Sequence, residues 1–306
     1  MSFLSAAYEV ARKEVLQHIR TKRLLIVGGF LVVSLTVLLL VFGVKIANGL
    51  SRGFSGSHVE VGASYQTLAL AFFFGFGFGG GLQFTQMLAI VLTSDAVCSE
   101  WGDKTIFLLL SKPVSRASFV LGKFLGNVVT VAASLVGLFL LFYALMLPLY
   151  LGYPSGAEFL GFLGMLGLVV LGAAAFAAIS LFASTLTKST LPSMMLMLGL
   201  WLLGFPLVGA MGSILHLGEA GVAPNDCAIQ CWRYFNPAAD MQAGTRLLIP
   251  QSTQTEQLRS VQDIVSNLNP FGLAPNDTGV AALALVGFTL VFFAASLVVV
   301  RIRNFE

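Results

Sequence analysis

The sequence predicts an all-α polytopic membrane protein: six transmembrane helices, an interfacial helix ahead of the first, and an extracytoplasmic insertion ahead of the last. Three observations predict it. Of 306 residues 57% are hydrophobic and only 10% charged, with a mean hydropathy of +0.89, where a soluble domain carries about a quarter charged residues. Apolar runs of the length needed to cross a roughly 30 Å hydrocarbon layer recur along the chain. The basic residues, finally, fall on one side of the membrane once those runs are threaded through it. The net charge of +3 carries little meaning beside that placement, and nothing supports nucleic-acid binding.

Residues 1–23 come first. Phe3, Leu4, Ala7, Tyr8, Ala11, Val15 and Ile19 recur at helical spacing, with Glu9, Arg12, Lys13, Gln17 and Arg20 on the other side. This reads as a helix lying in the cytoplasmic interface, where a basic face meets anionic lipid; a solvated extension is the plainer alternative. The polar start and the length of the run that follows argue against a cleavable signal peptide. Spans are expected at about 24–44, 67–93, 119–147, 159–183, 191–215 and 279–300, each bounded by charge, Pro or polar clusters. With both termini inside, Arg12, Lys13, Arg20, Lys22, Arg23, Lys104, Lys112, Arg116, Lys123, Lys188, Arg301 and Arg303 are cytoplasmic, twelve of the 17 basic residues. The opposite orientation retains only Lys45, Arg52, Arg233, Arg246 and Arg259, against the positive-inside bias.

Within the second span, Gly75-x3-Gly79 and Gly77-x3-Gly81 interleave with phenylalanines, and Gln83, Thr85 and Gln86 follow. Small-xxx-small spacing lets helices approach closely, and a polar group at such depth faces protein or a cavity. Packing and hydrogen bonding inside one subunit is the simpler reading; a dimer interface or the wall of a substrate path is the functional one. The segment 218–278 is long for a connection and contains a soluble helix near 253–268, which Ser252 or Thr253 caps and Pro270 helps end. A small extracytoplasmic cap is expected. Cys227 and Cys231 fall in it; a disulfide leads, ahead of two thiols or a Cu(I) site.

The cytoplasmic segment 94–118, between spans two and three, starts polar, continues as a short amphipathic stretch with Ile106, Leu109 and Leu110, breaks at Pro113 and restarts as a helix at Ser115 or Arg116. A short docked helix joined to two spans can move them as levers; an ordinary interfacial connector is the bland reading. Glu100, Lys104-Thr105-Ile106, Leu109-Leu110-Ser111-Lys112-Pro113-Val114-Ser115-Arg116, Phe119 and Gly122-Lys123 resemble the coupling segment of ABC-2 type transporter permeases, within them the branch described as permease components involved in multicopper-enzyme maturation. The layout is similar as well, the first helix taking the place of the family's elbow helix. Gly102-Asp103-Lys104-Thr105 departs from the Gly-Thr that many relatives carry after the acidic residue.

The resemblance implies a permease paired with a second copy or paralogue and with two cytoplasmic ATP-binding subunits, in a bacterial or archaeal cytoplasmic membrane. It further implies that Glu100 and Lys104 meet charges on the ATPase, that Leu109, Leu110 and Pro113 pack into its cleft, and that Arg116 anchors the third span at lipid phosphates or the ATPase. ATP and Mg then belong to the partner, and this chain binds no cofactor. A Walker A loop wraps backbone amides around phosphate through Gly-x4-Gly-Lys-Ser/Thr, whereas here Phe124 follows Gly122-Lys123 and Ala117 stands at the first glycine.

No catalytic role is expected. His58 and His216 are isolated, no His-Glu-x-x-His pair suggests a metal, and no Gly-x-Ser-x-Gly elbow suggests hydrolysis. The spans are nearly free of charge, unlike many ion-coupled carriers, which favours drive from outside the chain. Two functions follow: export or handling of an amphiphilic or hydrophobic substrate, or transduction of the ATPase stroke to an extracytoplasmic partner without transport.

Overall fold

A computed structural model of the chain describes residues 3–20, 29, 80–102, 115–150, 156–187, 189–204, 207, 237, 240–241 and 278–302. Its elements are α1 (Phe3–Arg20), α2 (Gly80–Thr93), α3 (Cys98–Gly102), α4 (Arg116–Tyr150), α5 (Gly156–Leu186), α6 (Thr190–Gly199), a π-helical turn (Leu200–Gly204) continuing α6, and α7 (Thr278–Ile302). No strand occurs among the described residues.

Three stretches are long and apolar enough to cross a membrane: Arg116–Gly137, Leu163–Leu186 and Gly279–Ile302. They fall on the expected third, fourth and sixth spans. Helix α2 covers the second half of the expected 67–93 span, and α6 with its π turn covers much of the fifth. The expected first span lies outside the described residues apart from Gly29, as do residues 103–114 and the 253–268 helix.

Helix α5 sits at the centre of the bundle. It touches α2, α4, α6 and α7, and its small side chains Ala173, Ala175, Ala177 and Ala178 are buried and admit the neighbouring helices closely. Burial of its spanning stretch reaches 67%, against 17% for α7. Helix α7 is apolar all round, yet Leu283, Leu290 and Val291 point outward, the pattern of a helix whose outer face meets lipid. Its inner face holds Ala281, Leu285 and Ser296, and Phe292 meets Phe182 of α5 edge-on at 5.7 Å.

Where α4 begins and α7 ends, one apolar core joins five parts of the chain: Val10 of α1, Ala96 and Val97 of the α2–α3 turn, Phe119 and Val120 of α4, Leu181 of α5 and Val300 of α7. Phe124 and Phe293 flank it with ring centroids 5.0 Å apart. Helix α4 starts here as the sequence predicts, because the Ser115 hydroxyl accepts a hydrogen bond from the Ser118 amide at 3.1 Å, satisfying one of the donors a helix start leaves open.

Helix α1 has three faces rather than the expected two. Leu4, Tyr8 and Ile19 form an exposed apolar stripe, Glu9, Arg12, Lys13, Gln17 and Arg20 an exposed polar one, and Ala6, Ala7, Val10, Glu14 and His18 are buried. The third face exists because α1 packs along α4. The approach is close: a Cβ at Gly122 would lie 2.6 Å from both the Ala7 carbonyl oxygen and Val10 Cβ, and one at Gly126 would lie 2.7 Å from Glu14 Cβ. Only glycine fits at either position.

Candidate functional site: a buried ion-pair cluster joining α1, α3 and α4

The contact of α1 with α4 carries charge into the interior. Lys123 follows the first of the two glycines and points where the second lets Glu14 come near; its ammonium lies 2.6 Å from Glu14 Oε2 and 2.8 Å from Glu100 Oε1. Lys13 adds a second ammonium 3.1 Å from the same Glu100 oxygen. One turn further along both helices, His18 Nε2 and Asn127 Oδ1 are 2.7 Å apart, and the Asn127 amide donates to the Lys123 carbonyl at 3.0 Å. Lys123 is only 1% exposed. Lys123 thus lies between two buried carboxylates, and the half-exposed Lys13 supplies the second positive charge from the solvent side, so that the buried charges are paired, the condition under which they are tolerated. Burial on its own would raise the Glu100 carboxyl; the Lys123 ammonium, aided by Lys13, outweighs that and holds it below the ordinary carboxyl value.

Glu100 sits on α3, and the turn leading into α3 is gripped from the other side. The amides of Val97 and Cys98 donate to the Ser184 hydroxyl of α5 at 3.0 and 3.1 Å, and the Ser193 hydroxyl of α6 donates to the Ser94 carbonyl at 2.5 Å. Ser184 therefore serves the start of α3 as a capping residue borrowed from another helix. The head of the segment between α2 and α4 is tied to α1, α4, α5 and α6 at once.

The expected site residues fall in three groups. Glu100 is brought to the cluster: its side chain is 7% exposed and its carboxylate is turned toward Lys123 and Lys13, two cations near enough to offset its desolvation. The Arg116 guanidinium reaches the carbonyls of Val300 and Arg301 at 3.5 and 3.4 Å, so it closes the end of α7, where a cation complements the helix dipole. Lys104, Thr105, Leu109, Leu110 and Pro113 lie outside the described residues, as do Gly75, Gly77, Gly79, Cys227 and Cys231. Gly81, Gln83 and Gln86 lie on α2. Gln86 is buried and its Oε1 accepts from the Trp201 indole of the π turn at 2.8 Å, a hydrogen bond inside one subunit.

Glu14, His18, Asn127 and Ser184 carry no role in the sequence reading, and Lys123 enters it only through the coupling-segment match and the cytoplasmic charges, although a signal for all but Ser184 exists. Glu14 and His18 are four apart on α1, Lys123 and Asn127 four apart on α4, and the latter two each follow a glycine of Gly122-x3-Gly126. Paired i,i+4 polar groups beside a small-xxx-small motif mark a close, polar helix contact. Ser184 has no such signal, since its partners are backbone amides far away in sequence.

Comparison with curated proteins returned no match. The protein-family description "ABC-2 family transporter protein" matches residues 8–302, nearly the whole chain and all seven helices except the first turns of α1. The chain therefore belongs to the ABC-2 family of transporter proteins, as the membrane permease subunit of an ABC transporter.

Proposed function

We propose that the chain receives the stroke of separate ATP-binding subunits through segment 94–118 and passes it to its spans through the Glu14–Lys123–Glu100 cluster. The observation that carries this reading is the double attachment of the segment's head: ion pairs to α1 and α4 on one side, serine hydroxyls of α5 and α6 on the other. A displacement applied to residues 103–114 reaches four helices without slack, because buried charges separate only at a cost of several kcal/mol. In this reading Lys104, Thr105, Leu109, Leu110 and Pro113 touch the ATPase, while Glu100 and Arg116 act inside the permease. ATP and Mg stay on the partner. The assembly contains two permease chains in a bacterial or archaeal inner membrane, with both termini cytoplasmic, and exports or handles an amphiphilic or hydrophobic substrate at their interface.

Transduction to an extracytoplasmic partner is the second reading. On its side stands one contact: Met241, in the segment between the fifth and sixth spans, packs against Gly172 midway along α5, a firm link between that segment and the bundle.

The test is a mild-detergent pull-down of the tagged chain with mass spectrometry of its partners, repeated with Lys104→Glu and Glu100→Gln. A soluble protein with a Walker A loop should be recovered with the wild type and lost with Lys104→Glu. Glu100→Gln should retain it while reducing stimulation of its ATPase. Absence of any such ATPase across several detergents, or full stimulation with Glu100→Gln, would refute the proposal.

A further inference from the structure

Asp240 and Met241 belong to the segment between the fifth and sixth spans, and both are fully buried, at 0% exposure. They are held there by a notch. A Cβ at Gly172 would collide with Met241 Sδ and lie 2.7 Å from its Cγ, so the absent side chain of Gly172 makes the room that Met241 fills. Met241 therefore fixes the position of Asp240 against α5.

Neither carboxyl oxygen of Asp240 has a hydrogen-bond partner among the described residues. No charged group of the described helices pairs with it, and Arg233 and Arg246 of its own segment lie outside the described residues. Helix α5 carries Glu158 in its first turn and no other titratable residue, and α2 and α6 have none. Helix α7 offers only Arg301, in its last turn. On α4 stand Arg116, Lys123, Tyr143 and Tyr150; Arg116 serves the end of α7 and Lys123 is held by Glu14 and Glu100. A bare carboxylate in such surroundings costs far more than a neutral carboxyl, so a group in this position takes up a proton instead of remaining charged. Burial pushes the Asp240 carboxyl up to about 8.

We propose that Asp240 is a proton-binding site, its carboxyl protonated while residues 240–241 are seated against α5 and releasing that proton to water when they leave. The step is a simple ionisation: the O–H bond breaks, water accepts the proton, and a solvated carboxylate remains. Any movement that unseats this segment is thereby linked to proton concentration, independently of how the ATPase reading stands. The sign follows from the raised value. Seating is fully stable below the ordinary carboxyl range near 4, loses about tenfold in its equilibrium for each pH unit above that, and levels off above about 8.

The experiment uses the full chain in liposomes. Dicyclohexylcarbodiimide, which attacks protonated carboxyls in apolar sites, is applied from pH 6 to pH 9 and its adducts are mapped by peptide mass spectrometry beside a water-soluble carbodiimide. Thermal unfolding of wild type and Asp240→Asn is followed from pH 5 to pH 8. The expected result is an Asp240 adduct that falls about tenfold between pH 6 and pH 9, with a wild-type Tm that declines with pH relative to that of Asp240→Asn. The Tm divergence decides the matter should the reagent not reach the site. Parallel Tm curves, or modification by the water-soluble reagent at an equal rate, overturn the proposal.

Discussion

Replacing Lys123 by Met keeps the length and apolar stem of the side chain and removes the charge on which the cluster turns. Glu14 then loses the ammonium at 2.6 Å, and its side chain is 5% exposed, so little water can take that place. Glu100 loses its partner at 2.8 Å but keeps Lys13 at 3.1 Å. Breaking a buried pair by removing one partner costs about 3–5 kcal/mol, most of it the uncompensated charge left behind. For a chain of this size that corresponds to a fall in Tm of about 5–8 °C. The control is Lys13→Met. Lys13 touches the same Glu100 oxygen, but its side chain is 51% exposed, and a solvent-screened pair contributes about 0–1 kcal/mol. A third variant, Glu14→Gln with Glu100→Gln and Lys123→Met, leaves no charge stranded and should recover most of the lost stability. The assay is thermal unfolding of the purified protein in one detergent, followed by intrinsic fluorescence. Equal Tm values for Lys123→Met and Lys13→Met, or a triple variant less stable than Lys123→Met, would show that the cluster is not held by buried charge.

Three further outcomes are expected. Gly126→Ala sets a methyl group against Glu14 Cβ and the Ala11 carbonyl and should cost about 1–3 kcal/mol by overpacking; protease protection of residues 3–20 should fall with it. Trp201→Phe removes the donor to Gln86 Oε1 and strands a buried amide oxygen, a loss of about 1–3 kcal/mol that Gln86→Leu in the same chain should largely relieve, as a Tm series would show. Because the Glu100 carboxyl is held below its ordinary value of 4.5, its contribution is complete above that value and is lost as pH falls through the lowered one. The Tm gap between wild type and Glu100→Gln should accordingly be constant from pH 8 to about pH 6 and close in stronger acid.

Of residues 218–278, read from the sequence as a cap outside the membrane, the structure describes 237, 240–241 and 278. Met241 fills a notch midway along α5, within the Leu163–Leu186 stretch, so this part of the segment packs into the bundle. Pro/Asn-rich composition speaks for irregular backbone and is silent about depth, which depends on whether a neighbouring helix leaves room.

Helical class, three of the spans, the Ser115 start of α4 and the membership of the family were legible because each rests on local properties. Apolar run length reports the hydrocarbon layer, a serine ahead of a helix reports its cap, and the ordered matches around Glu100 and Pro113 report a lineage. The placement of Glu100 was not legible, since an acidic residue at the head of a polar segment looks solvent-facing until Lys123 is known to lie 2.8 Å away. Nor was the third face of α1, because nothing local distinguishes Glu14 and His18 from the polar residues Glu9, Arg12, Lys13, Gln17 and Arg20 of the same helix. Only Gly122 and Gly126, more than 100 residues later, bring α4 close enough to bury them. The sequence by itself thus determined the long apolar helices of the described residues, while the tertiary structure alone decided which charges lie inside: the cost of burying a charge depends on partners that chain distance does not reveal.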